Sequence, residues 1–414
     1  MQSSNDKIKI AVIGAGAAGL LCAAECGAAG ADVTIYEKNE KVGRKLAITG
    51  KGRCNLTNDC EPDEFLKNIV SNPRFMTSSV YSFTPADTKA LFEGLGVELK
   101  TERGRRVFPL SDKSYDIVDA LYRYAQKNAR IKHECVRDII IDDKKVKGVV
   151  TDRGSFLYDR VIIATGGKSY PLTGSTGDGY RFAKAASHTV TALSPSLVPL
   201  TSKDPICPAL MGLSFKNTAI KIICDKTGKT VYEDFGEMLF THFGLTGPMI
   251  LSASSHLHKI HPSECTAVID IKPALDEKTL DAKLLAVFSE AKNKDFENAI
   301  RPIMPAKLAE YMPRHIGIDP RKKVNEITRE ERRRLLEALK GLRVKLSGFR
   351  PIEEAIITRG GVSTKEIDPK SMKSKLCDGL YFIGEVLDVD AYTGGYNLQI
   401  AFSSAVAAAR DAVR

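Results

Sequence analysis

The chain has 414 residues, 61 Lys and Arg against 51 Asp and Glu for a net charge of +10, and nine cysteines. That length exceeds one comfortable hydrophobic core, so two or three domains are expected. An ordinary apolar fraction without low-complexity runs excludes a disordered or fibrous chain, and an odd cysteine count without a secretory signal argues against a disulfide scaffold and for the cytosol.

In chain order, Ile8, Ile10, Val12 and Ile13 form a short apolar strand of the kind buried in a parallel sheet. Lys9 and Glu25 interrupt this apolar region, which is too short to span a membrane. Gly14-Ala15-Gly16-Ala17-Ala18-Gly19 follows at once. Gly14 permits the tight turn, Gly16 lets backbone approach a pyrophosphate, and Gly19 lets the helix pack closely on the strand. The helix runs through Leu20, Leu21, Ala23 and Ala24, with Gly30 as its stop. Its first amides and positive dipole end suit phosphates. Val33 to Tyr36 is a second strand, ending in Glu37. An acid about 20 residues past the first glycine grips ribose hydroxyls and repels a 2′-phosphate. This region is therefore read as a socket for an adenine dinucleotide.

A nicotinamide dehydrogenase would proceed to its next strand here. Instead Lys38, Lys41, Arg44, Lys45 and Thr49-Gly50-Lys51-Gly52-Arg53-Cys54-Asn55-Leu56-Thr57 make a small, basic loop able to wrap a longer cofactor. Tyr115 to Ala129 is helix-like, and Ile139 to Ile141 with Val146 to Thr151 flank a charged turn, a hairpin signature. Val161 to Ala164 is a strand running into Thr165-Gly166-Gly167, and Gly174 to Gly179 reads as a cofactor-proximal loop opening the next helix. From about Leu193 the texture becomes β-rich, with a hairpin around Asp225 to Gly228 and a strand at Thr266 to Ile271. Residues 276 to 345 look helical, punctuated by Pro302, Pro305, Pro313 and Pro320, with Leu335, Leu336, Leu339 and Leu342 on one apolar face. Arg321 to Lys345 carries ten cations and four glutamates and reads first as a solvated helix; an anionic surface or nucleic-acid patch is the alternative. His256, His258 and His261 lack an acid or cysteine at ligand spacing, so no metal is expected. Leu380 to Asp388 is a strand with Gly384-Glu385 at its turn, and a final alanine-rich helix begins near Gln399.

These motifs carry a resemblance. GAGAAG, GRKLAITGKGRCNLTN, ATGGKSYPLTGSTGDGY, GEMLFTHFGLTGP, TRGGVS and GEVLDVDAYTGGYNLQIAFSS stand in order along nearly the whole chain. The sequence resembles the FAD-dependent oxidoreductase family that includes aminoacetone oxidase and the bile-acid reductase BaiN. Ile400, where a tryptophan is common, and Ala391, where a glycine is frequent, depart from the pattern.

The resemblance implies an α/β fold. A Rossmann-like FAD-binding domain (1–192 and 352–414) would carry an inserted mainly-β substrate domain (193–275 and 346–351) and a small helical domain (276–345). It implies FAD contacts from Gly14, Ala15, Gly16, Ala17, Ala18, Gly19, Glu37, Lys38, Arg44, Lys45, Thr49, Gly50, Gly52, Arg53, Cys54 and Asn55. Later segments add Val136, Ala164, Thr165, Gly166, Gly167, Gly384, Glu385, Asp388, Gly395, Tyr396, Asn397 and Leu398. The final helix would aim its N-terminus at the flavin, where a partly buried dipole stabilises a reduced anion by up to ~2 kcal/mol.

The expected activity is reduction of a conjugated C=C with NAD(P)H as transient reductant, or oxidation of an amine by oxygen, on a small organic substrate. His242, Tyr170 and Tyr396 are the proton-donor candidates, because adding hydride to an enone requires a proton at the neighbouring carbon. No nucleic-acid or membrane partner is expected. An RNA-associated flavoprotein using residues 321–345, or a flavin redox sensor, stand as alternatives.

Overall fold

The computed structural model describes residues 7–414, which form two compact units: residues up to Ser196 with Pro351–Arg414, and Leu197–Arg350. The α/β Rossmann class expected from the sequence is present in the first.

Its five-stranded sheet is built from β1 (Lys9–Ile13), β2 (Asp32–Tyr36), β3 (Arg130–Lys132), β4 (Arg160–Ile163) and β5 (Leu380–Phe382), in the order β5-β4-β1-β2-β3. Every pairing is parallel, with Ile10 opposite Val33 and Val12 opposite Ile162. Ile10, Ala11, Val12, Val161, Ile162 and Ile163 have no exposure, as strands covered on both faces require. Three of its helices bear on the site: α1 (Ala17–Ala28), α2 (Arg44–Gly52) and α3 (Tyr396–Ala412). Leaving β1, the chain crosses through α1 to β2 on one side, whereas β4 flanks β1 on the other. That reversal of strand order opens a crevice beyond the carboxyl ends of β1 and β4, where α/β sheets bind ligands.

Several boundaries differ from the sequence reading. α3 starts at Tyr396, three residues before the expected Gln399, because Gly395 (φ 97°) turns the chain into the helix. The strand expected over 380–388 is only Leu380–Phe382; Gly384 (φ 70°) then breaks it into a short 3₁₀ turn. In the second unit Pro313 lies inside the helix Ala306–His315 rather than ending it, eight residues in and close to its C-terminus. Leu342 belongs to the strand Leu342–Lys345, not to the helix Arg329–Lys340 whose buried face carries Leu335, Leu336 and Leu339.

The second unit combines a seven-stranded sheet, whose longest members are Ser214–Cys224 and Thr230–Thr241, with helices that share one apolar cluster with it. Lys322, Lys323, Arg332, Arg333, Lys340 and Lys345 are each ion-paired, with Glu331, Asp295, Asp281, Glu330 and Glu337, Asp270 and Asp225 respectively. Arg334 donates to the Ile316 carbonyl. Most of the charge in the 321–345 stretch is thus neutralised within the unit.

His188, in the first unit, has a fully buried side chain. Its Nε2 lies 2.7 Å from Ser374 Oγ and its Nδ1 3.3 Å from Glu366 Oε2, with Phe382 edge-on at 4.9 Å. Burial lowers its pKa below the ordinary 6.5, against an opposing pull from Glu366. The unfolded chain therefore takes up this proton first, so the associated stability is complete above the unfolded value and is lost as pH falls through it. The urea midpoint is expected to drop between roughly pH 7.5 and pH 5.5, and His188→Gln to shrink that drop. An unchanged pH profile in the variant would refute this assignment.

Candidate dinucleotide-binding site

The glycine turn sets the site. Gly14 adopts φ 104°, and a Cβ there would lie 2.6 Å from the Ala164 carbonyl oxygen. A Cβ on Gly19 would lie 1.9 Å from the Gly14 carbonyl oxygen, so this residue fixes how closely α1 packs on the turn. Gly16 differs from both. Its backbone is extended (φ −84°, ψ −169°), and a Cβ would meet nothing within 4 Å. The space over Gly16 is the cradle that the sequence reading reserved for a pyrophosphate.

A cleft with about 1340 Å³ of empty volume runs from this turn along the first unit. Gly14, Ala15, Gly16, Ala17 and Ala18 form its floor. At one end Glu37, only 8 % exposed, accepts from the Ala15 amide (2.9 Å) through Oε2, and from the Asn39 amide (2.9 Å) and side chain (2.6 Å) through Oε1. Val136 lines the same cleft. Lys38 pairs with Asp178 at 2.6 Å and donates to Thr176 at 2.6 Å. Burial alone would raise the Asp178 carboxyl, yet these bonds hold it below the usual carboxylate value.

Ala164, Thr165 and Gly166 form another stretch of wall, and Thr165 Oγ1 is buried with no partner. Arg44, Lys45 and Thr49 come from α2. Lys45 reaches Glu385 (2.5 Å) and Ser169 Oγ (2.7 Å), and Glu385 also accepts from the Thr358 amide (2.9 Å) and Ser169 Oγ (3.0 Å). Gly384, Glu385, Asn397 and Leu398 complete the expected wall, with Ile400 beside them.

Ten of the residues expected at the cofactor lie off this wall. Gly19 packs α1 beneath it, and Gly167 is close-packed under Thr358 and Glu385. Gly50, Lys51 and Gly52 form a left-handed run (φ 58°, 60° and 84°) that ends the regular part of α2. Arg53 turns away to pair with Glu102 and Asp112 and to lie 4.1 Å over the Phe108 ring, so its charge is already matched. Asn55 accepts from the Gly395 amide (3.0 Å) and donates to the Thr57 and Val107 carbonyls, tying the loop to the start of α3. Cys54 is fully buried, and burial pushes its thiol up to about 12, so it carries no thiolate at neutral pH. Asp388 is half-buried, and that desolvation raises its pKa. Gly395 is the N-cap of α3.

The proton-donor candidates are scattered. Tyr396 is 9 % exposed, packs on Phe65 at 5.3 Å, and is pushed up to about 12 by burial. Tyr170 lines an adjoining apolar cleft with Tyr115, Ile48 and Leu172, which shares Lys41, Arg44 and Thr173 with the dinucleotide cleft. His242 belongs to the second unit, exposed and edge-on to Phe243 at 5.0 Å. Neither tyrosine is on the wall of the dinucleotide cleft.

The sequence reading missed Asn39, Ser169 and Thr358. They orient Glu37, Lys45 and Glu385, and no motif spacing marks such supporting bonds.

A family model described as the HI0933-like protein Rossmann domain matches residues 8–411. The chain belongs to the HI0933-like Rossmann family. It is 32 % identical over 405 residues to the ribosomal RNA dihydrouridine synthase of Escherichia coli strain K12, covering 97 % of each chain. It is 28 % identical over 412 residues to the 3-dehydro-bile acid delta(4,6)-reductase of Clostridium scindens, covering 98 % of each. Among solved structures, the 3-ketosteroid-delta4-(5alpha)-dehydrogenase of Rhodococcus jostii RHA1 superposes with a TM-score of 0.54 at 16 % identity, over 100 % of this chain and 98 % of that one. At that identity the likeness concerns the fold alone.

Proposed function

We infer that this chain is an FAD-dependent oxidoreductase that reduces a C=C bond conjugated to a carbonyl, with uracil in RNA as its substrate. The observation that carries the cofactor is the open cradle over Gly16, set between the buried Glu37 carboxylate and the N-terminus of α3. Glu37 would hold the ribose hydroxyls. The amides of Ala17 and Ala18, at the start of α1 and without intrahelical partners, would hold the pyrophosphate with Arg44. The unpartnered Thr165 hydroxyl would complete that set. The N-terminus of α3 would meet the ring, and its dipole favours negative charge there.

Bound and reduced, FAD would supply the hydride for one carbon of the C=C, and the neighbouring carbon would take its proton from solvent, since neither Tyr170 nor Tyr396 lines the cleft. Lys45 and Glu385, locked together by Ser169 and Thr358, keep a fixed charge pair on the wall. NAD(P)H, docking transiently, is the reductant this reading requires; no second glycine-turn nucleotide socket occurs among the described residues.

The reaction class rests on what two relatives' names share. Dihydrouridine forms by adding hydrogen across the uracil C=C beside its carbonyl, and a delta(4,6)-reductase of a 3-dehydro bile acid acts on C=C bonds conjugated to a ketone. RNA is preferred as substrate because the RNA-modifying relative is the more similar at equal coverage. No helix among the described residues is long and apolar enough to cross a membrane, and a cytoplasmic location fits a ribosomal substrate.

The test incubates the purified flavoprotein anaerobically with NAD(P)H and either protein-free ribosomal RNA or a 3-keto-Δ4 steroid. Dihydrouridine in digested RNA supports the full reading, whereas reduced steroid alone keeps the reaction class and removes the substrate. Peroxide release with an aminoketone, and neither reduction, would establish the amine-oxidase alternative.

A further inference from the structure

The first unit carries a second, polar cleft of about 1150 Å³ empty volume, at the C-terminal end of α3. Five cations face it: Lys370, Lys373, Lys375, Arg410 and Arg414. Only two side-chain carboxylates do, Asp368 and Asp411, and both are bonded inward. Asp368 Oδ1 accepts from the Lys370 and Ser371 amides at 2.9 Å each, and Asp411 accepts from the Tyr381 hydroxyl at 2.8 Å. Outside the lining, Asp378 pairs with Lys373 at 2.7 Å. Arg410 donates to the Ser82 carbonyl (3.0 Å) and hydroxyl (2.5 Å), and Lys375 to the Lys365 carbonyl (3.0 Å). Lys370 and Arg414 are exposed and form no ion pair among the described residues. Ser82, Ser371 and Ser374 add hydroxyls to the lining. Arginine, lysine and serine around an open cleft are the side chains that contact nucleic-acid phosphates.

We propose that this cleft grips the phosphodiester backbone of the RNA substrate, away from the nucleotide being reduced. The proposal rests on the RNA reading above. It differs from the sequence-stretch alternative, because residues 321–345 are largely ion-paired whereas this cleft retains excess positive charge. α3 joins the two places: Asn397 lines the dinucleotide cleft and Arg410 this one. The thirteen helical steps from one to the other span about 20 Å at ~1.5 Å per residue. A folded RNA spans that distance.

The test compares the holoprotein with a Lys370→Glu/Lys375→Glu/Arg414→Glu variant, and with an Arg329→Glu/Arg343→Glu control. Binding of fluorescein-labelled oligo(U) and of protein-free ribosomal RNA is measured against salt. For a single strand the slope of log K on log salt is about −0.7 per phosphate contact. The triple variant should therefore lose about 2 units of slope and at least ~10-fold in affinity near physiological salt, keeping its FAD content and melting temperature. The control should bind as the parent does. Unchanged RNA affinity and slope in the triple variant would overturn the proposal, as would loss of binding to phosphatidylserine vesicles but not to RNA. A parent protein that binds no RNA at low salt also overturns it, yet leaves C=C reduction to be judged by the steroid arm alone.

Discussion

Gly16→Val should give a folded, colourless protein. The backbone at Gly16 lies in the extended region open to any L-residue, and the added side chain meets no protein atom at its Cβ. The cost to the fold is the poorer N-cap of α1, about 1 kcal/mol. The same side chain fills the cradle where backbone must come within hydrogen-bonding range of the pyrophosphate. FAD affinity should fall at least ~100-fold, equivalent to about 2.7 kcal/mol. Gly19→Val is the contrast, since its Cβ would collide with the Gly14 carbonyl and the fold itself should fail. Absorbance at the flavin band, with the melting temperature of the apoprotein, separates the two outcomes. A Gly16→Val protein that purifies yellow with a full complement of FAD would show that the cofactor lies elsewhere.

Gln399→Leu should be among the most destabilising single changes in the first unit. Gln399 has no exposure and makes four hydrogen bonds. It accepts from Thr57 Oγ1 (2.6 Å) and Thr88 Oγ1 (2.7 Å), and donates to the Phe83 carbonyl (3.1 Å) and Ser403 Oγ (3.1 Å). Leucine conserves the volume and strands those partners away from water. Each buried polar group left unpaired costs about 1–3 kcal/mol. Some relief comes from Ser403 Oγ, which already donates to the Phe83 carbonyl at 2.8 Å, so a total of roughly 3–5 kcal/mol is expected. That is a large share of the ~5–15 kcal/mol by which a domain is stable, and it should lower the melting temperature by roughly 10 °C. Ser403→Ala, which removes one hydroxyl from the network, should cost only about 1 kcal/mol. Urea titrations measure both. A Gln399→Leu loss below about 1 kcal/mol would show that the network does not anchor the start of α3.

How much of this was legible in the sequence depends on where each residue finds its partners. The strand, glycine turn, helix and Glu37 were readable because backbone geometry demands glycine at Gly14 and Gly19, and because the acid follows at a fixed interval. The hairpin around Asp142 to Lys145 was readable from local alternation, and strands Val136–Asp142 and Lys145–Thr151 pair there. Arg53, Cys54 and Asn55 misled because a basic residue in a glycine-rich loop looks the same whether it meets a phosphate or an acid. Arg53 finds its acids 49 and 59 residues away. Gln399 was passed over as the start of a helix; its partners come from Thr57, Phe83 and Thr88, far along the chain. The basic stretch at 321–345 looked charged because four of its seven counter-charges, Asp225, Asp270, Asp281 and Asp295, lie outside it in sequence.

The central claim is that an adenine–flavin dinucleotide occupies the cleft over the first β-α-β turn. The most direct measurement is the amount and identity of flavin released on denaturing the purified, FAD-reconstituted protein. The account predicts one FAD per chain, bound by the parent and lost in Gly16→Val. A parent protein that retains no FAD, or a Gly16→Val variant that retains as much as the parent, would contradict it.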